Sequence, residues 1–285
     1  MLSEILQGET TEYAAPCVML LGGFDGLHIG HKKLVEWAKE YGLPVGTTTI
    51  TGGKGEALFT LVERQKIFAK QGIDFVCPFA FTETFKNTTK EEFLTFLTSR
   101  FNARVFVCGK DFRFGKGAEG TPEFIEKFTH IPVRALDVLN ADGKKVSASS
   151  VKGLLKNGET EKANELLCEP FFMTSRVEEG RKTGRTIGFP TANFRYPQGK
   201  LSPKEGVYSV SAQIDGKIFS GIANLGACPT FGVAEKKPEV YFDGFHGDLY
   251  GREMDVSFKK YLRPIRKFDG KEALKAQLEK DLRRI

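Results

Sequence analysis

Leu20-Leu21-Gly22-Gly23-Phe24-Asp25-Gly26-Leu27-His28-Ile29-Gly30-His31 decides how this chain folds. The apolar run from Cys17 to Leu21 reads as a strand buried on both faces, the kind found in parallel sheets. Gly22, Gly23 and Gly26 then interrupt the run, and Leu34, Val35, Ala38 and Tyr41 fall on one side of a helix expected over 28–41. A strand, a glycine turn and a helix start together make an anion site, in which Gly22, Phe24, Gly26 and Gly30 are candidate phosphate-binding positions. The turn lets main chain approach a phosphate, and the free N–H groups and dipole of the helix start favour negative charge. His28 and His31 stand three apart, so on the first helical turn they share a face and can both point at the anion. Two histidines alone would equally suit an exposed βα turn. Zinc is disfavoured, because no third Cys, His or carboxylate stands at zinc-like spacing.

Strands and helices alternate from here to about Leu139. A second strand is expected over 43–51, and the capping box Thr60-Leu61-Val62-Glu63 opens a helix that stops at Gly72. Phe75-Val76-Cys77 reads as a third strand, and a second capping box, Thr88 to Glu91, opens a helix carrying Phe93, Leu94 and Leu97. Arg104 to Cys108 is the fourth strand, Thr121-Pro122 starts a helix with proline at its first position, and Val133 to Leu139 is the fifth strand. Such alternation predicts a doubly wound parallel sheet whose ligand crevice lies at the carboxyl ends of the strands, where the His28–His31 turn sits.

Two more loops belong to that end. Gly109-Lys110-Asp111-Phe112-Arg113-Phe114-Gly115 follows the fourth strand, and its Asp111 and Arg113 suit ribose and phosphate. The same string would also serve as a surface loop with both phenylalanines packed inward. Ser147, Ser149 and Lys152 open a helix that ends at Asn157-Gly158; hydroxyls there either cap the helix or hold phosphates.

After a short helix over 159–167 the texture changes at Glu169-Pro170, which divides the chain into domains 1–167 and 168–285. Short β runs with turn residues follow: Gly206 to Val210, Ser211 to Ile214 with the turn Asp215-Gly216, and Met254 to Phe258. They predict a small antiparallel barrel. A last helix is expected from Asp269, with Glu272 completing an acidic capping box and Leu274, Leu278 and Leu282 buried. The whole chain has 285 residues, room for two ordinary cores, with 40% hydrophobic and 27% charged residues. The net charge of +6 suits phosphorylated substrates and discriminates little. No apolar run is long enough to span a membrane, and Met1-Leu2-Ser3-Glu4 has no signal-peptide pattern. Five scattered cysteines without a CxxC pair read as reduced core residues of a cytoplasmic protein.

The string Gly-x-Phe-Asp-Gly-x-His-x-Gly-His, from Gly22 to His31, resembles the start of the bacterial bifunctional riboflavin kinase/FAD synthetase family, whose HxGH signature is that of nucleotidylyltransferases. The loop from Gly109 to Gly115 matches the family's Gly-x-Asp-Phe-Arg-Phe-Gly. Residues 147–152 resemble Ser-Ser-Thr-x-Ile-Arg, with Ala148 and Lys152 as departures. In the second half, Gly184-Arg185-Thr186-Ile187-Gly188-Phe189-Pro190-Thr191-Ala192-Asn193 closely resembles the riboflavin kinase signature, and Gly206-Val207-Tyr208, Asn224-Leu225-Gly226, Glu239, Asp248-Leu249-Tyr250-Gly251 and Arg263 follow in family order. The resemblance implies two ATP-dependent reactions: riboflavin to FMN in the second domain, FMN to FAD with release of pyrophosphate in the first. It implies that His28 and His31 stabilise phosphate charge in the first reaction site, with Lys152 on pyrophosphate. It further implies that Gly184 and Arg185 bind ATP, that Thr191 and Asn193 hold Mg²⁺ and the phosphates, and that Glu239 is the base for the riboflavin hydroxyl. Arg263 is implied to be on the flavin side. It implies small-molecule partners (riboflavin, FMN, ATP), neither nucleic acid nor membrane, and leaves a homo-oligomer open. Two departures matter. Gly52-Gly53-Lys54 replaces a Pro-His-Pro loop, making Lys54 a candidate flavin-side cation, and Gly244 stands where the family has an acid. A single-activity descendant and a non-catalytic flavin-binding regulator are the rival readings.

Overall fold

The computed structural model describes residues 13–53, 55–137, 140–141, 144–180, 188–230 and 233–285. Contacts divide the chain into two compact units, Met1–Ser150 and Val151–Ile285.

The first unit runs β1 (Tyr13–Leu21), α1 (Ile29–Lys39), β2 (Val45–Thr51), α2 (Leu61–Lys70), β3 (Phe75–Ala80), α3 (Glu83–Asn87), α4 (Lys90–Arg100), β4 (Phe101–Gly109), α5 (Pro122–Thr129) and β5 (Val133–Leu136). A two-strand ladder of β6 (Asn140–Ala141) and β7 (Lys144–Lys145) follows. The large strands form one parallel sheet in the order β3-β2-β1-β4-β5. The doubly wound expectation is borne out, and the order reverses beside β1, where such sheets open their crevice. β1 explains its own central place: Val18 and Leu20 are buried on one face and Cys17, Met19 and Leu21 on the other. The second face continues into a core of Cys77, Phe79, Leu94, Leu97 and Phe106 under α4. Burying both faces of one strand is what a continuous apolar run provides.

The capping box at Thr60–Glu63 forms as expected, with both reciprocal bonds. The second box forms one residue later than expected. Thr89 and Glu92 exchange the bonds at the start of α4 (2.8 and 3.1 Å). Thr88 instead closes α3: it is buried and its hydroxyl donates to the Thr84 carbonyl at 3.1 Å. The string Thr88-Thr89-Lys90-Glu91-Glu92 carries two overlapping Thr-x-x-Glu frames, and packing of the α3 end selects the second.

α6 (Ala148–Asn157) and α7 (Thr160–Glu165) lead into β8 (Phe172–Glu178), β9 (Ala192–Phe194), β10 (Gly206–Ile214), β11 (Lys217–Leu225), β12 (Ala227–Thr230), β13 (Val233–Lys236), β14 (Glu239–Phe242), β15 (Glu253–Arg263) and α8 (Lys271–Leu282). Six of these strands close an antiparallel barrel in the order β10-β11-β14-β9-β8-β15. Closure leaves no open edge. The β10–β11 hairpin turns on Asp215-Gly216, both in the left-handed region, as the two-residue turn demands. α7 packs on β15, where the Asn164 amide donates to the Phe258 carbonyl (2.9 Å). The compact units thus divide at Ser150, ahead of the compositional change at Glu169-Pro170, because α7 buries itself on the barrel.

The last helix corrects two expectations. It starts at Lys271 with Gly270 as its N-cap, and no side chain caps it, so Asp269 and Glu272 do not form a box. Leu274, Leu278 and Leu282 are only half-buried. Leu282 packs on Val207, Ile222 and Leu262, and the residue that α8 buries fully is Asp281. Among the described residues no helix is long and apolar enough to cross a membrane.

Candidate functional sites

In the first unit the stretch after β1 is stitched to β2 by threonines. The Gly22 N–H donates to Thr48 Oγ1 (3.0 Å), and that hydroxyl donates to the Gly22 carbonyl (2.8 Å). Thr49 Oγ1 lies 3.0 Å from both the Gly23 and Phe24 carbonyls. A threonine-rich β2 therefore holds a main-chain turn in place of the side chains a strand usually presents. Phe24 occupies the left-handed region at φ 34°, uncommon for a bulky residue. Gly26 allows the close approach of Phe59: a Cβ there would stand 2.7 Å from the ring. Gly30 lies in the first turn of α1.

His28 is the N-cap of α1 in an extended conformation, and it is 7% exposed. Its ring stacks on His31 with centroids 3.6 Å apart, and Phe24 meets His31 edge-on at 4.8 Å. The His31 Nδ1 lies 3.3 Å from the Gly26 carbonyl, which can only accept, so Nδ1 carries the proton. Burial, and secondarily the neighbouring His28, push the His31 pKa down to about 3. The ring is therefore neutral at pH 7.

Asp111 and Arg113 line a cavity of about 630 Å³ together with Gly22, Gly23, Phe81 and Phe112. In the Gly109–Gly115 loop both phenylalanines pack on the core, Phe114 buried against Phe93 and Phe112 half-buried and stacked on Phe114, and both line the cavity. Phe79, Phe81 and Phe85 complete an aromatic wall. Sequence reasoning missed that wall, although the alternation of Phe79 and Phe81 at the end of β3, followed by Phe85 in α3, was its signal. Ser147 and Ser150 cap α6 reciprocally, with Ser150 N–H donating to Ser147 Oγ (3.2 Å) and Ser147 N–H to Ser150 Oγ (3.0 Å). Ser149 is exposed in the first turn, and Lys152, in the second unit, lies further along the helix. Lys54 lies outside the described residues.

The barrel site is assembled by register. Glu239 in β14 pairs directly with Asn193 in β9 on one side and with Asn224 in β11 on the other. Val240 and Phe242 are buried, so the alternation of β14 turns Glu239 to the outer face, where it is exposed. The Asn193 amide sits over Gly180, whose missing side chain makes room for it, and donates to the Thr191 carbonyl at 3.4 Å. Thr191 lines a cavity of about 350 Å³ with Pro190, Phe242, Phe245, His246 and Leu249. Gly184 and Arg185 lie outside the described residues. Gly244 takes φ 68° in the turn after β14, so a glycine suits that position on backbone grounds alone. Arg263 forks onto the buried Asp281 (Nη2 2.8 Å, Nε 2.9 Å), which Gln277 also contacts. Its guanidinium ties β15 to α8.

The family model for riboflavin kinase matches residues 167–285, and the model for FAD synthetase matches residues 10–150. The bifunctional riboflavin kinase/FMN adenylyltransferase of Listeria monocytogenes is 34% identical over 281 residues, covering 93% of this chain and 90% of the relative. The Bacillus subtilis protein of the same description is 33% identical, covering 95% and 92%, and that of Escherichia coli is 31% identical, covering 93% and 90%. A solved structure described as a macrolide-efflux protein from Streptococcus pneumoniae superposes with a TM-score of 0.87 at 26% identity, covering 96% of this chain and 95% of that one.

Proposed function

Since the chain belongs to the bifunctional riboflavin kinase/FMN adenylyltransferase family, we propose how its own residues divide the two reactions between the two compact units. The protein phosphorylates riboflavin to FMN with ATP and adenylylates FMN to FAD with a second ATP. The observation that carries the division is that the stacked His28–His31 pair at a helix start lies in one unit and the Asn193–Glu239 strand pair in the other.

In adenylyl transfer a phosphate oxygen of FMN attacks the α-phosphorus of ATP and the bond to pyrophosphate breaks. The free N–H groups at the start of α1 and the turn from Gly22 to Gly26 receive the ATP phosphates. His28 and His31 stabilise the charge that builds on them, His31 gaining a proton as the anion docks. Asp111 and Arg113 take the nucleotide side, Ser147, Ser149 and Lys152 the departing pyrophosphate. Phe81, Phe85 and Phe112 supply flat apolar surface of the kind an isoalloxazine ring stacks on. Lys54 is the proposed cation for the FMN phosphate.

In the kinase reaction the riboflavin 5′-hydroxyl attacks the γ-phosphorus of ATP and ADP leaves. Glu239 accepts the hydroxyl proton, standing one strand from Asn193, at a cross-strand spacing of about 5 Å. Thr191 and Asn193 offer oxygen donors of the sort that hold Mg²⁺ together with phosphates and water, and among the described residues no cluster of three His, Cys, Asp or Glu competes with them. When bound, the ion neutralises the phosphate charge. Gly184 and Arg185 are proposed to receive the ATP phosphates. Arg263 is proposed to serve the flavin side by fixing the end of β15 through Asp281.

Release of ADP with riboflavin and of pyrophosphate with FMN, measured separately, tests this division. His28→Ala should cut pyrophosphate release about 10²–10³-fold and leave ADP release unchanged. Equal loss of both, or of neither, would remove the assignment.

A further inference from the structure

Arg64 lies in α2, outside the motifs quoted above, yet its guanidinium is 3% exposed and makes contacts in four directions. Nη2 pairs with Asp25 Oδ1 at 2.6 Å. Nη1 donates to Thr49 Oγ1 at 3.0 Å and to the Ile50 carbonyl at 2.5 Å, and Nε donates to the Phe59 carbonyl at 2.8 Å. Thr49 Oγ1 is the atom that meets the Gly23 and Phe24 carbonyls. Arg64 therefore grips the turn twice, through the Asp25 carboxylate and through Thr49. Between those grips stands Phe24, held in the left-handed region, a conformation that persists only where surrounding structure over-determines it. The Phe24 ring in turn meets His31, which stacks on His28.

We propose that Arg64 is a positioning residue for adenylyl transfer: it holds the Gly23–Asp25 turn so that Phe24 fixes the stacked pose of His31 on His28. The inference rests on the reading that these histidines serve that reaction. Burial pulls the Arg64 guanidinium below its ordinary pKa, with Asp25 and Glu63 opposing that pull. A planar fork can satisfy Asp25, Thr49 and Ile50 together, whereas a lysine ammonium is a point charge on a single stem. Such a device is costly to bury and rewards its keeper with fixed geometry.

The test uses the full chain with Arg64→Gln, Arg64→Lys and, from the other side of the pair, Asp25→Asn. In Arg64→Gln, kcat for FAD formation should fall on the order of 10²-fold, as misplacement by about an ångström does, while the KM for ATP changes little. Arg64→Lys should recover part of the loss, and Asp25→Asn should reproduce it. The His31 ring protons, shifted in the wild type by the stacked His28 and the edge-on Phe24, should move toward ordinary imidazole positions in NMR spectra of Arg64→Gln and Arg64→Lys. Unchanged His31 resonances in a folded variant, or a loss confined to KM, would overturn the proposal. Should Arg64→Gln fail to fold, Arg64→Lys and Asp25→Asn decide it by the same two readouts. The histidine reading fails separately: His31→Ala with full FAD formation would sink it, whatever Arg64 does to the His31 spectrum.

Discussion

In the parallel-sheet unit the two proposed catalytic histidines lie on one continuous stretch, Gly22 to His31, while in the barrel the proposed residues come from separate strands, with Asn193 and Glu239 brought together by register alone. The first site is deep: His28 is buried, His31 has been driven toward neutrality, and the turn is backed by threonine hydroxyls and a buried arginine. The second is a surface row on the outside of a closed barrel, with Glu239 exposed. A turn must be held by something behind it, because its main chain makes few bonds to itself. A barrel wall needs no such backing, since the ladder on either side of each strand fixes the pose of the next residue. Substitutions behind the first site should therefore disturb chemistry, and substitutions behind the second should disturb stability.

The largest expected effect breaks the comparison at the barrel. Glu239→Gln removes the proposed base and keeps the ladder, so riboflavin phosphorylation should fall about 10³-fold with FMN adenylylation and thermal unfolding unchanged. A kinase that survives within a few fold would show that the register pair is not the reacting pair.

Next comes the support of the barrel. Asp281→Ala leaves Arg263 without its buried partner and should destabilise the second unit by about 3 kcal/mol, read by denaturant unfolding. A change below ~0.5 kcal/mol would mean that α8 is held by Leu282 and its apolar neighbours rather than by the pair.

The smallest effect is on pH. His31 titrates near 3 in the folded chain against an ordinary 6.5, so between these values the unfolded chain binds more protons. The contribution of the neutral ring to stability is complete above about pH 6.5 and is lost as pH falls toward 3. Because the ring retains some contact with water, the loss by pH 5 should be on the order of 1 kcal/mol in the first unit, and His31→Gln should abolish that part of the pH dependence. An unchanged slope in the variant would place the titrating group elsewhere.

Local signals were enough wherever a residue's neighbours in sequence are also its neighbours in space. The β1 run, the Thr60–Glu63 box, the Asp215-Gly216 hairpin and the His28–His31 pairing on one helical face are all of this kind. Alternation of strand and helix predicts the parallel sheet, and clustered short strands predict the barrel, because each periodicity can be buried in few ways.

The amino-acid string alone thus determined the two architectures and the turn before α1, since those follow from periodicity and spacing, while the roles proposed for the reacting side chains come from the family resemblance. It left open which of two overlapping Thr-x-x-Glu frames caps α4, because both are equally good locally and only the packing of Thr88 at the end of α3 separates them. It did not mark Arg64, a charged residue on an amphipathic helix that reads as a solvated face until folding carries it beneath Asp25 and Thr49. Nor did it reveal that Arg263 is already committed to Asp281, or that Phe79, Phe81, Phe85 and Phe112 wall one cavity. Those facts depend on contacts between residues distant in sequence, and only tertiary packing, which fixes what stands next to each buried group, decides them.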